Sequence, residues 1–229
     1  MERKLIEINS DTFAIEEEFV RFFVLVGSKK AAIIDSGVLG DNISEYIKSI
    51  TDKELILINT HADGDHTAGN YAFSKYYIDE RDYINRGMQK KYPDCEACFI
   101  KDNDMFDLGG RVIKIISAPG HTKGSVAVLD VTNRLLFSGD SVQDEDVFMF
   151  GAHRDVDSFS ASLSKLVKLQ SEYDVIIPSH GTIKLEEDYA QKVLSDWNEY
   201  RNGELDGFDI DMHGNKVKCY KGKHCGFLV

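Results

Sequence analysis

Apolar residues gather along this chain in short dense runs separated by polar turns. Phe19–Val26 is a run of aromatic and β-branched residues broken by Arg21, and Ala31–Ile34 follows after Gly27-Ser28-Lys29-Lys30. That pattern predicts two strands joined as a hairpin. Leu55–Ile58 and Tyr76–Ile78 predict two more strands, and Val112–Ile116, Val126–Leu129, Leu135–Phe137 and Val175–Ile177 predict four in the second half. Between them the period changes. Ile43, Ile47 and Ile50 mark one face of a short helix, with Asp41 as its cap. Asp79–Lys91 predicts a helix that stops before Pro93. Phe159, Leu163, Leu166 and Val167 form a helical stripe behind a cap at Asp157, and Tyr189, Val193, Leu194 and Trp197 form another that ends by Gly203. Strands with helices between them predict a mixed α/β fold.

The pattern alters after Asn202, where Gly and charge dominate before two apolar pieces, Val217–Tyr220 and Phe227–Val229. A turn at His213-Gly214-Asn215 fits a small hairpin. The expected organisation is one domain over 1–201, with 202–229 as a C-terminal edge extension whose apolar pieces offer a homodimer contact. The 229 residues are 42% hydrophobic and 29% charged, enough for one sizeable core and unlike a disordered chain. Lys and Arg number 27 against 39 Asp and Glu, a net charge of -12. Such a surface repels phosphate backbones and anionic lipid, so neither nucleic acid nor membrane is expected as a partner. No segment approaches the roughly 20 apolar residues that span a bilayer. The first eight residues are charged and lack the apolar core of a signal peptide. The expectation is a cytoplasmic protein with its four cysteines reduced.

Chemistry enters where strands end. Leu55–Ile58 runs into His61, Asp63, Asp65 and His66; Ile113–Ile116 leads through Pro119-Gly120 to His121; Leu135–Phe137 leads through Ser138-Gly139 to Asp140; Val175–Ile177 leads through Pro178-Ser179 to His180. Ligand sites in α/β folds lie at strand ends, where rigid strands aim converging loops. His and Asp are ligands for zinc, iron or manganese. An Asp-rich turn that only caps a helix would account for the first cluster but not for His121, Asp140 and His180.

Taken together, His61-Ala62-Asp63-Gly64-Asp65-His66, Pro119-Gly120-His121-Thr122, Ser138-Gly139-Asp140 and Pro178-Ser179-His180-Gly181 resemble the metal motifs of the metallo-β-lactamase superfamily. Ile33-Ile34-Asp35-Ser36-Gly37 is similar to that family's early Asp-x-Gly turn. The resemblance covers about residues 5–200 and implies a four-layer αβ/βα sandwich with metals at one edge. It also implies two divalent ions, zinc foremost with iron or manganese as alternatives. One ion would be held by His61, Asp63 and His121, the other by Asp65, His66 and His180, with Asp140 bridging. The family usually has His where this chain has Asp63. The flavodiiron branch uses a carboxylate there and binds iron.

The resemblance implies a hydrolase in which metal-activated water attacks a small-molecule ester, thioester, lactone or phosphodiester. Asp65 would orient the nucleophile and accept its proton. Glyoxalase II-like thioesterase action shares the fold, although the later part of the chain has no basic cluster to grip glutathione. Asp63 also motivates a di-iron redox protein with an external electron donor, and a non-catalytic metal-binding module is the third reading. Outside the motifs, His153 and the stretch Phe148–Phe150 could reach the metal cleft. Arg154 is expected to pair with Asp155 or Asp157. Cys95 and Cys98 have C-x-x-C spacing, but with Cys219 and Cys225 they are read as free thiols. His213 and His224 are expected to face solvent.

Overall fold

The computed structural model describes residues 3–212 and 214–229. The first half contains β1 (Lys4–Asn9), β2 (Thr12–Glu17), β3 (Val20–Val26), β4 (Lys30–Ile34), α1 (Ile43–Ile50), β5 (Glu54–Ile58), α2 (Gly64–Thr67), β6 (Lys75–Ile78), α3 (Glu80–Asn85), α4 (Met88–Lys91) and β7 (Glu96–Phe99). The second contains β8 (Met105–Asp107), β9 (Val112–Ser117), β10 (Val126–Asp130), β11 (Leu135–Gly139), β12 (Val147–Phe148), α5 (Phe159–Lys168), β13 (Val175–Pro178), β14 (Leu185–Glu186), α6 (Tyr189–Arg201), β15 (Gly207–Met212), β16 (Asn215–Lys221) and β17 (Gly226–Leu228). No helix among the described residues is long and apolar enough to cross a membrane.

β1 to β7 lie side by side in chain order as one sheet; a second sheet runs β14-β13-β11-β10-β9-β8. Alternation along the strands explains why they are apolar throughout. In β3, Phe23 and Leu25 face the second sheet, while Phe22 and Val24 face outward to Ile43 and Ile47 of α1. In β10, Val126 and Val128 face the first sheet, while Ala127 and Leu129 face α5 and α6. Each sheet therefore has one face on its partner and one under helices, which makes a four-layer α/β sandwich. The tail builds a third sheet, β12-β17-β16-β15. Its Phe227 is fully buried and packs edge-on to Trp197 of α6, with ring centroids 4.9 Å apart.

Local punctuation differs from the sequence expectation at three places. Asn42, not Asp41, precedes α1, in the left-handed conformation and without a side-chain cap. The helix expected over Asp79–Lys91 is split into α3 and α4 at Gly87, whose φ is 64°. Asp79 does cap α3, accepting from Arg81 N–H. At α5 the N-cap position is Ser158, not Asp157, and carries no side-chain cap; Asp155 accepts from Ser158 N–H at 3.2 Å. The hairpin of β15 and β16 closes with Met212 opposite Asn215; His213 lies outside the described residues.

At the end where β9 begins, Arg111 joins the two sheets. It is 3% exposed. Its guanidinium donates to Asp130 Oδ2 at 2.6 and 3.0 Å on the second sheet, and to Asp11 O at 2.7 Å and Thr12 Oγ1 at 2.6 Å on the first. The loops bearing His61, His121, Asp140 and His180 leave from the opposite end.

Candidate metal centre

β5 ends at Ile58, and the next eight residues carry four of the candidate ligands, with Asp65 and His66 on the short α2. Thr60 O accepts from Val126 N–H at 2.8 Å, which ties this loop to the start of β10. Gly139 lets Asp140 approach: its φ is 54°, and a Cβ there would sit 3.0 Å from the Thr60 side chain. His180 is held by its neighbour, since Ser179 O accepts from Arg21 N–H at 2.9 Å.

The four imidazoles share one arrangement. His61 Nδ1 lies 3.0 Å from Thr60 Oγ1, His66 Nδ1 2.9 Å from Asp35 Oδ2, His121 Nδ1 2.9 Å from Phe148 O and His180 Nδ1 2.8 Å from Phe19 O. Three of these acceptors are a carboxylate or a carbonyl, so each of those rings carries its proton on Nδ1. The Thr60 hydroxyl is committed as donor to Asp35 Oδ2 at 2.7 Å, so it accepts from His61 Nδ1–H. Each ring therefore turns its Nε2 inward. His61 Nε2 and His121 Nε2 stand 3.2 Å apart, and His66 Nε2 and His180 Nε2 3.3 Å apart.

Three carboxylates complete the cluster. Asp140 Oδ1 lies 3.2 Å from His66 Nε2, and Oδ2 lies 3.3 Å from His180 Nε2 and 3.4 Å from His121 Nε2. Asp65 Oδ2 is 3.5 and 3.6 Å from Nε2 of His66 and His180, and Asp63 Oδ2 is 3.3 Å from Nε2 of His121. All seven side chains singled out in the sequence thus meet. Three overlapping sets have ligand atoms within 4.8 Å of one another: His61, Asp63 and His121; His61, His66 and Asp140; Asp65, His66 and His180.

The donors fit divalent cations. Buried Asp140 Oδ1 has no hydrogen-bond partner among the described residues, an expense that a cation at the cluster removes. Burial favours the neutral imidazole, and it holds His61 well below the ordinary histidine range with help from neighbouring His66. At His66 burial is outweighed by Asp140, Asp65 and Asp35, which hold the ring well above that range. Burial opposes ionisation of Asp140, yet His180, His66, His121 and His61 keep its carboxyl well below the usual range. The pocket thus favours positive charge beside ionised carboxylates.

Asp63 stands at the N-cap position of α2, but its side chain makes no capping hydrogen bond. It instead meets two guanidinium groups. Arg86 Nη2 is 3.0 Å from Oδ1, and Arg154 Nη1 is 2.9 Å from Oδ2. The partner expected for Arg154, Asp155 or Asp157, is therefore replaced by Asp63. Burial raises the Asp63 pKa, but His121, His61 and Arg154 overcome it and leave the carboxyl far below the usual range.

Sequence reasoning did not find the supports. Asp35, fully buried, accepts from Thr60 N–H at 2.7 Å as well as from Thr60 Oγ1 and His66 Nδ1. Asp82 of α3 accepts from Ala62 N–H at 2.9 Å, Gly124 N–H at 2.7 Å and Thr122 Oγ1 at 2.8 Å, so one carboxylate braces the loops of His61 and His121. Asp35 was visible as part of a turn motif; nothing in the sequence distinguishes Asp82 or Arg86 from surface charge. Asp63, Asp65, His121, Asp140 and His180 line a cleft of about 540 Å³, with Phe19, Phe148, Met212, Arg86 and Arg154 around them. Phe150 packs on Phe148 beside Ile210 and Met212, behind the cleft wall. His153 is half-buried near Arg86 and Arg154, outside that lining. His224 does not stand free in solvent: its Nδ1 is 3.1 Å from Asp196 Oδ1. The four cysteines are free, and no set of three ligand atoms among the described residues includes one.

The family model of the metallo-beta-lactamase superfamily matches residues 16–86 and 99–180. A hydroxyacylglutathione hydrolase of Francisella tularensis subsp. tularensis (strain WY96-3418) is 31% identical over 183 residues, 78% of this chain and 71% of that one. The human acyl-coenzyme A thioesterase MBLAC2 is 23% identical over 215 residues, 73% of this chain and 77% of that one. Among solved structures, a metallo-beta-lactamase from Pontibacter korlensis superposes with a TM-score of 0.73 at 19% identity, covering 86% of this chain and 99% of that one. An archaeal superfamily protein from Sulfolobus tokodaii gives 0.61 at 21% identity, covering 86% and 85%.

Proposed function

Because the chain belongs to the metallo-beta-lactamase superfamily, we propose that it is a hydrolase of acyl thioesters that works with two divalent ions. The observation that carries this reading is the convergence of four imidazole Nε2 atoms and three carboxylates on one cleft. His61, Asp63 and His121 would hold one ion, Asp65, His66 and His180 the other, and Asp140, central to all four rings, would serve both. Bound there, the ions supply a Lewis acid and a water whose pKa lies nearer neutrality.

The chain's own groups do the rest. Asp65 is the most open of the three carboxylates, with its side chain 24% exposed against 13% for Asp63 and 9% for Asp140. It faces the cleft and is placed to orient the attacking water and take its proton. Phe19, whose ring stacks on His180 with centroids 6.1 Å apart, joins Phe148 and Met212 as apolar walls for an acyl chain. Relatives named for acyl-coenzyme A and hydroxyacylglutathione support acyl transfer to water over phosphodiester cleavage. Each set offers two imidazoles and one carboxylate with Asp140 between them, a mix that suits zinc and, with Asp63 in place of a third imidazole at the first site, also leaves room for iron or manganese.

The test uses full-length, metal-depleted chain reloaded with zinc, manganese or ferrous iron and offered thioester, oxoester, lactone and phosphodiester substrates. Thioester hydrolysis that requires metal and exceeds the other three is expected. A fully loaded protein that cleaves none of them overturns the reading. A reversibly bleached iron absorbance without hydrolysis replaces it with the redox alternative.

A further inference from the structure

The two candidate ion sites differ in what already stands beside them. Arg154 Nη1 is 2.9 Å from Asp63 Oδ2 and 3.0 Å from His121 Nε2. Those atoms are two of the three donors of the first set. His121 has committed its Nδ1 proton to Phe148 O, so the lone pair on Nε2 accepts from the guanidinium. Arg154 is anchored there by His121 O at 3.0 Å and Phe150 O at 3.4 Å, and its side chain is 12% exposed. The second set has no guanidinium or ammonium beside it: among the described residues, the partners of Asp65 and Asp140 within ion-pair distance are histidines, which are themselves ligands of the set.

We propose that Arg154 is a built-in cation that holds the first metal site until an ion displaces it, so that the two sites load in unequal steps, Asp65-His66-His180 first. The inference rests on the metal-dependent reading above. A guanidinium does not lose its proton in this pH range, so it yields by moving and not by titrating. On the other side of the carboxylate, the Arg86 contact with Oδ1 has the distance but not the alignment of a hydrogen bond, since Oδ1 has no hydrogen-bond partner among the described residues. Arg154 leaves from a tight turn in which its N–H donates to Gly151 O at 3.2 Å, and Gly151 and Ala152 are exposed. Arg86 differs in place: it sits on Asp63 Oδ1, the oxygen turned away from His61 and His121, and steers Oδ2 toward them. The unusual carboxylate at position 63 is what makes the arrangement possible, because an imidazole there would offer the guanidinium no charge.

The experiment is a competitive zinc titration of metal-depleted full-length protein against a chromophoric chelator, for the parent and for Arg154→Ala, Arg154→Met and Arg86→Ala. Circular dichroism checks the fold of each. The parent should bind one zinc tightly and a second at least about tenfold more weakly, as expected for a site that must first expel a unit charge. Both Arg154 variants should tighten the weaker step by about tenfold or more and leave the tighter one within about threefold. Arg86→Ala removes equal charge from the far oxygen and should not tighten that step. Equal steps in the parent, or the same tightening from Arg86→Ala, overturn the gating role and leave the two-metal reading intact. No effect of Arg154→Ala or Arg154→Met also overturns it. A parent that binds no zinc overturns the metal reading itself.

Discussion

Asp35→Asn is the sharpest perturbation available at the cluster, because it changes one atom of a fully buried side chain. Asp35 sits in the left-handed region with φ 63°, a conformation Asn tolerates as well as Asp. The Asn oxygen can still accept from Thr60 N–H, now 2.7 Å from Oδ1. The new NH2 replaces Oδ2 and faces Thr60 Oγ1 at 2.7 Å and His66 Nδ1 at 2.9 Å. His66 then has two options. It can keep its proton on Nδ1, which leaves donor facing donor at a cost of about 1–3 kcal/mol. Alternatively it moves the proton to Nε2, so that Nδ1 accepts from the amide, and the Nε2 lone pair that an ion needs on the side of His180 and Asp140 is lost. Either route weakens the ion held by His66 by about 10–100-fold, or about 1.4–2.7 kcal/mol. The fold should survive, since about 1–3 kcal/mol is a fraction of the roughly 5–15 kcal/mol typical of a domain. The assay pairs zinc titration with urea denaturation of the metal-depleted variant. An Asp35→Asn variant that folds and binds both ions as tightly as the parent would refute the proposed tautomer lock.

The other predictions concern shared supports. Asp140→Ala should weaken both ions together, because its carboxylate lies within 4.0 Å of all four Nε2 atoms; loss of a single ion by elemental analysis would contradict its bridging place. Asp82→Asn should lower stability by about 1–3 kcal/mol. One arm of the side chain then presents N–H to Ala62 or Gly124 N–H, and an unchanged urea midpoint would show that Asp82 does not brace the two loops.

Legibility along the chain followed burial. β4, β5, β9, β10, β11 and β13 were readable to within a residue or two because both of their faces are covered, so nearly every side chain is apolar. β1 was missed because its residues are exposed or half-buried, and β2 because its apolar stretch ends in Glu16 and Glu17. Glu17 is fully buried only because Arg3, Val38 N–H and Leu39 N–H, remote in sequence, reach it. β15 carried a usable signal, Phe208, Ile210 and Met212 alternating with Asp209 and Asp211, that the charge of the segment obscured. The seven side chains that converge at the cleft were legible because strand-end loops leave their motifs intact in sequence. Arg154, Arg86 and Asp82 were not: a charge acquires its partner through folding, and spacing along a chain does not record which carboxylate a guanidinium will meet across a cleft.

Arg111 gives the sandwich two unlike ends. Where β9 begins, the sheets are fastened by a charge belonging to the polypeptide itself, present from the moment the chain folds. Where β9 ends, the groups that face one another come from both sheets and are mostly lone pairs and carboxylates, which attract cations and repel each other. The protein is in this sense bound like a book, with a spine of its own making and a fore-edge whose clasp must come from solution. A cation added at that edge should therefore stiffen the ligand loops far more than the Arg111 end, and amide hydrogen exchange of metal-depleted and zinc-loaded protein would record the difference.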